Sequence, residues 1–257
     1  MLLADLPPLH DDLTWVTPLS EERAERLVSF LAGGLGASGS RLLDLGCGWG
    51  ELLLRTLEDA PGATGSGYDL DGGAIAHGNA LAAERGLAER VALYTADART
   101  ASGPVDAVLC LGSTQIWGPP VEQDQPLDYP AALTALRDLL PRGGRLVYGD
   151  GIWSQPPTDA AVAPLSGRLD ELVPMVELVE LAAAHGFAPV QVHEATLDEW
   201  DVFESGFTAG YATWLATHPA DHPHAEAVRE RAASQRAAYF GGYRGVLGMA
   251  YLCLLAV

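Results

Sequence analysis

Glycines at alternate positions, Gly46, Gly48 and Gly50, separate the apolar run Arg41-Leu42-Leu43-Asp44-Leu45 from the helix-like stretch ELLLRTLEDA. A turn of this kind lets the backbone approach a ligand closely, because no side chain bars the way. Asp44 lies two residues before Gly46, where an acid accepts hydrogen bonds from a ligand's ammonium or orients the turn; as an ordinary strand-end acid it would only be solvated. Asp69 ends the next apolar run, about the distance from the turn at which an acid meets ribose hydroxyls. A pyrophosphate cradle wants G-x-G-x-x-G/A, but the third residue after Gly48 is Glu51, whose charge opposes a phosphate. The turn therefore suits a ligand with a ribose, a positive centre and no pyrophosphate ahead of NAD or FAD.

S-adenosylmethionine has those features, and the flanking motifs agree with it. LLDLGCGWGELLLR resembles the first motif of the class I S-adenosylmethionine-dependent methyltransferases, and GYDLD at 67–71 resembles their second. YTADA at 94–98 is similar to the segment whose acid contacts the adenine amino group, VDAVLCLGST at 105–114 resembles the fourth strand and its ligand-facing end, and RGGRLVYGD at 142–150 resembles the fifth. The resemblance covers residues 40–150. It implies methionine-end contacts at Asp44, Gly46 and Gly48, with Cys47 and Gly50 completing the turn, ribose contacts at Asp69, and adenine contacts at Leu70, Asp97 and Ala98. Leu111 and Gly112 would lie beside the cofactor.

The acceptor side is less explicit. Methyl transfer displaces an activated sulfonium, so alignment of the acceptor supplies much of the acceleration and a base is optional. The fourth strand is not followed by the Asn-Pro-Pro-Tyr type tetrapeptide of amino-methylating nucleic-acid enzymes; the loop there carries Gln115 and Trp117. That loop and Asp150-Gly151-Ile152-Trp153 both leave carboxyl ends of strands, the rim where ligands sit in open α/β sheets, so Gln115, Trp117, Asp150 and Trp153 are pocket candidates. Trp200, Phe203, Phe207, Tyr211 and Trp214 recur at helical spacing; such a stripe is more often core than pocket, yet Trp200 and Tyr211, with Tyr243, are kept as substrate candidates. His218, Asp150 and Glu204 are candidates for catalysis, with His10 a further histidine able to act as a base near neutral pH. His218, His222 and His224 invite a metal, but Pro219 and Pro223 break the helix that their spacing would need, and no metal is expected.

The elements that must position these groups alternate. Strands are expected at 41–45, 63–70, 90–94, 105–111, 145–149, 188–193 and along the terminal GMAYLCLLAV, with helices between them. Alternation implies an α/β fold: a seven-stranded, mostly parallel, doubly wound sheet with a helical lid insertion before the last strand. A single domain is expected over 1–257, comprising an N-terminal arm and helix (1–39), a cofactor-binding core (40–195), the lid (196–245) and the final strand (246–257). The arm, to residue 19, has no clear period and is expected to be irregular and to cover some part of the molecule.

Composition narrows the partners. The chain has 257 residues with 34 acids against 15 basic residues, every basic residue an arginine, for a formal charge of −19. That balance argues against a nucleic-acid partner. The beginning of the chain lacks a basic, apolar leader, no apolar run reaches membrane-spanning length, and Cys47, Cys110 and Cys253 show no metal or disulfide spacing, so a cytoplasmic protein acting on a small molecule is expected. A nicotinamide-dependent oxidoreductase or a non-catalytic binding subunit are the competing readings. Monomer or homodimer, and an oxygen, nitrogen or carbon acceptor, are left open.

Overall fold

The computed structural model describes residues 6–118 and 126–257; residues 1–5 of the expected arm lie outside it. Five strands run parallel in the spatial order β3 (Val91–Thr95), β2 (Thr64–Asp69), β1 (Arg41–Leu45), β4 (Ala107–Leu111), β5 (Arg145–Gly149). β1 and β4 are almost wholly buried, as continuous apolar runs must be when helices cover both faces. Side chains alternate between two cores. Leu42, Leu109 and Val147 pack with α1 (Glu21–Ala32), α2 (Glu51–Asp59) and α3 (Gly72–Glu84) on one face. Leu43, Val108 and Leu146 pack with α4 (Tyr129–Asp138) on the other, and α6 (Met175–Ala184) joins that face after the four-residue α5 (Asp159–Val162).

The last strands are antiparallel. β8 (Leu247–Ala256) pairs with β5 along one edge and with β7 (Phe187–Glu194) along the other. β6 (Gly151–Trp153) pairs with β8 in the register that β5 began: Tyr148 faces Leu252, Gly151 faces Met249, and the Ala250 amide donates to the Asp150 carbonyl between them. β5 and β6 are therefore one strand broken at Asp150, so the eight segments fill seven positions in the sheet. The expected seven-stranded, mainly parallel fold is present, with its fifth strand turned at Asp150 toward the rim.

Between β7 and β8 the chain forms α7 (Leu197–Thr217), α8 (Ala225–Ala238) and a wide turn at Tyr239–Tyr243. α7 opens on a reciprocal cap: the Thr196 hydroxyl accepts from the Glu199 amide while the Glu199 carboxylate accepts from the Thr196 amide. The aromatic stripe divides. Trp200 and Phe203 join the α1-side core with Tyr239 and Tyr243, while Trp214 packs with Ala225 and Val228 at the far end of α7. Among the described residues no helix is long and apolar enough to cross a membrane.

Candidate active site

The site forms where β1, β2 and β4 end. Two adjoining clefts share Gly46, Asp69, Ser113 and Gln115. The first is floored by Asp44, Gly46, Cys47 and Gly48, flanked by Leu111 and Gly112, and roofed by Thr14, Trp15, Val16 and Thr17. The second is lined by Tyr68, Leu70, Asp97, Ala98, Arg99 and Ile116. Leu70 is 77% exposed there, an apolar side chain standing open at the mouth of a slot opposite Ile116.

The turn is held from beneath. The amides of Gly46 and Cys47 both donate to the Tyr68 carbonyl, at 2.9 and 3.1 Å, and the Gly48 amide donates to Asp69 Oδ2 at 2.7 Å. Gly46 has φ +76°, and a Cβ there would stand 1.9 Å from Ser113 Oγ, so only glycine allows the β1 and β4 turns to meet. Gly50 caps α2 in a left-handed conformation and does not line either cleft; its part is the turn itself.

Asp44 is the electrostatic centre. It is 4% exposed, faces the first cleft, and among the described residues accepts no hydrogen bond. Burial, and then the neighbouring Asp69, push its carboxyl up to about 8. The same burial, with Asp44 and Asp69, raises the Cys47 thiol, which keeps it protonated rather than nucleophilic. Asp97 holds Arg99 through its Nε at 2.9 and 3.0 Å, and that guanidinium holds its carboxyl below the usual range. Arg99 is thereby already paired, and Glu51 in the first cleft is taken by Arg55 and Arg85. Among the described residues no histidine or arginine lines the first cleft.

Every residue expected at the cofactor except Gly50 thus lines one of the clefts, whereas the acceptor-side expectations divide sharply. Gln115 lines both. Asp150 lies beneath the rim, accepting from the amides of Thr114 at 2.8 Å and Gly151 at 2.7 Å; burial raises its carboxyl, and it braces the turn after β4 from below. Trp117 packs against the α4-side core, and Trp153 is buried with its indole donating to the Leu169 carbonyl. Trp200 and Tyr243 are core residues, because their rings fill the angle between α7 and the sheet. Glu204 is buried and fully used, accepting from Tyr243 Oη at 2.7 Å and Gln235 Nε2 at 2.8 Å. His218 stacks on Trp214 with its Nδ1 2.8 Å from the Trp214 carbonyl, and Tyr211 lines a groove against Leu6–Leu9, both away from the clefts. His10 stacks on His77 outside the roof.

The expected lid is corrected in the same way. None of residues 196–245 lines either cleft; the wall over the first is the arm, which α7 supports from behind through Gly206. The arm was expected to cover something, but neither the cleft nor the roof residues Thr14–Thr17 were named, since an aperiodic stretch carries no signal for a partner far along the chain. Ser113 and Ile116 were missed too, although both lie in the loop that Gln115 pointed to.

Comparison with known proteins places this geometry. A family described as "Methyltransferase domain" matches residues 43–146, the span from β1 to β5. The uncharacterized protein YjhP of Escherichia coli (strain K12) is 30% identical over 181 residues, 69% of each chain, and its crystal structure superposes with a TM-score of 0.80 over 97% of this chain and 98% of that one. A S-adenosylmethionine-dependent methyltransferase from Thiobacillus denitrificans, solved with S-adenosyl-L-homocysteine, is 26% identical with a TM-score of 0.80 over 97% of this chain and 96% of that one. An enzyme of the same description from Geobacter sulfurreducens, with the same ligand, gives the same values. The chain belongs to the class I S-adenosylmethionine-dependent methyltransferases, and the oxidoreductase and binding-subunit readings fall away.

Proposed function

We propose that this methyltransferase acts on a small-molecule acceptor that carries no negative charge, and that the two clefts hold its cofactor end to end. The observation that carries the reading is Asp44: a buried carboxylate with no partner, on the floor of a glycine-walled cleft, calls for a cationic donor. The methionine ammonium answers that need, Asp69 meets the ribose, and the adenine lies against Leu70 and Ile116 beside Asp97 and Ala98. The Thiobacillus and Geobacter relatives, both solved with S-adenosyl-L-homocysteine, support the same assignment.

Bound there, S-adenosylmethionine supplies a sulfonium methyl open to backside displacement. The protein's part is alignment. Thr14–Thr17, Ser113 and Gln115 enclose the space that remains, with hydroxyl and amide groups and apolar surface but no unpaired cation. An acceptor carboxylate or phosphate would find no counter-charge there, while a neutral acceptor needs none. No histidine base is required of such a site, and His218, Glu204 and Asp150 have structural duties instead. The unpaired Cys47, Cys110 and Cys253 support a cytoplasmic setting.

Calorimetry tests the cofactor half: S-adenosylhomocysteine binds the native chain, NAD does not, and Asp44→Asn binds the first more weakly. Release of S-adenosylhomocysteine in the presence of size-fractionated metabolites tests the acceptor half. Turnover that appears only with protein or nucleic-acid fractions would refute it.

A further inference from the structure

The roof of the first cleft is held by side chains rather than by a backbone ladder, Trp15 foremost among them, buried in the α1-side core with the Arg55 guanidinium over its ring. Between Thr14 and Leu19 no backbone amide donates to another backbone group, although Leu13 before and Ala24 after do so. The segment is instead held by a few long-range contacts. Leu13 sits in a notch on α7 that exists because residue 206 is glycine: a Cβ there would stand 2.1 Å from Leu13 Cδ2 and 2.5 Å from its Cγ. The Thr14 carbonyl accepts from Trp49 Nε1 at 3.1 Å, which ties the roof to the glycine turn itself. Behind them His10 stacks on His77 of α3 at 3.7 Å. At the far end Tyr251 Oη, 2.9 Å from Thr17 Oγ1, donates to the Pro18 carbonyl at 2.8 Å. Between these anchors Val16 is 48% exposed, its Cγ2 only 3.3 Å from where a Gly48 Cβ would stand.

We propose that residues 13–17 are a movable roof over the methionine end, that seating Leu13 against Gly206 closes it, and that Gly206 is thus a positioning residue for the cofactor. The proposal rests on the assignment of the first cleft given above. A segment without a backbone ladder opens by releasing its side-chain anchors, the Trp15 ring being the most costly of them, whereas the sheet behind it opens only as a unit. The insertion between β7 and β8 then acts on the site indirectly, as the surface on which the roof closes, which accounts for α7 touching the arm but not the cleft.

The test uses the whole chain and S-adenosylhomocysteine as probe. In the native protein the probe should slow amide exchange of Trp15, Val16 and Thr17 about tenfold or more. Gly206→Val, which fills the notch, should abolish that protection and raise the probe's dissociation rate about tenfold while the thermal midpoint moves little. Leu13→Ala, which removes the anchor without crowding, should raise the rate about threefold to tenfold, so the test does not depend on Gly206→Val folding well. Leu13→Ala combined with Gly206→Val exchanges volume across the contact and should restore the rate to within about threefold of native. A native dissociation rate in these variants, or roof amides that the bound probe leaves unprotected in the native chain, would overturn the roof. Failure of the native chain to bind the probe would overturn the cofactor assignment beneath it.

Discussion

A buried acid with nothing to bond is unstable on its own account, and Asp44 shows what such a residue is kept for. Its carboxyl is pushed up to about 8, so in the free protein it holds its proton through the neutral range, and a cationic ligand must displace that proton. Affinity for S-adenosylhomocysteine should therefore rise as pH increases toward 8, by up to about tenfold per pH unit, with a proton released on binding. Calorimetry in buffers of different ionisation enthalpy reads that proton directly, and a flat profile would exclude Asp44 as the partner. The stability effect has the opposite sense. Because the folded value lies above the ordinary 3.8, Asp44 contributes stability fully present below that value and lost as pH rises through about 8. Asp44→Asn should thus stabilise the ligand-free protein above pH 8, on the order of 1 kcal/mol or more, while it abolishes the pH dependence of binding.

Among the elements, α1 and α7 meet at a single carboxylate. Glu199 accepts from Ser20 Oγ at 2.6 Å, from Arg23 Nε at 2.9 Å and from the Thr196 amide at 2.7 Å, so it caps one helix and locks the other. Burial pushes its carboxyl up, but the Arg23, Ser20 and Thr196 hydrogen bonds outweigh that and hold it at about 2. Its stabilisation is present above pH 4.5 and lost as pH falls toward 2, and Glu199→Gln should cost about 3 kcal/mol at pH 7 with the deficit shrinking in acid. Urea unfolding at pH 7 and pH 3.5 checks this; a deficit independent of pH would mean that packing alone was lost. None of this lock could be read from the chain, because Ser20 and Glu199 are 179 positions apart. What could be read was local. The runs of β1 and β4 and the glycine turn each carry their signal within a few residues, so the alternating α/β sheet and the cofactor turn were legible. The end of β5 was legible from Gly149-Asp150-Gly151, but the resumption of the strand at Gly151–Trp153 was not, since its pairing with β8 is made nearly a hundred residues along the chain. The aromatic face of α7 was legible as a face and as more often core than pocket, but not which of its rings was core, since Trp200 looks the same whether it packs a sheet or lines a pocket.

At the scale of the whole molecule the charge acts on the exchange of cofactor and product. Among the described residues at least eight arginines are paired with acids, and with 34 acids against 15 arginines the field outside those pairs is strongly negative. S-adenosylmethionine carries an ammonium and a sulfonium against one carboxylate, a net positive charge; S-adenosylhomocysteine has lost the sulfonium and is neutral. The protein therefore attracts the first at a distance and not the second, and transfer of the methyl group removes part of what held the cofactor in. Raising salt from about 0.02 to 0.5 M shortens the Debye length from roughly 20 to 4 Å, which should weaken S-adenosylmethionine binding about threefold to tenfold and leave S-adenosylhomocysteine within about twofold. The effect should fall mainly on the association rate, because screening removes steering before it removes contacts at the buried Asp44. Stopped-flow binding of both ligands across that range decides it. Equal salt responses would mean that the net charge of −19 serves solubility alone and that selection between cofactor and product is made entirely inside the cleft.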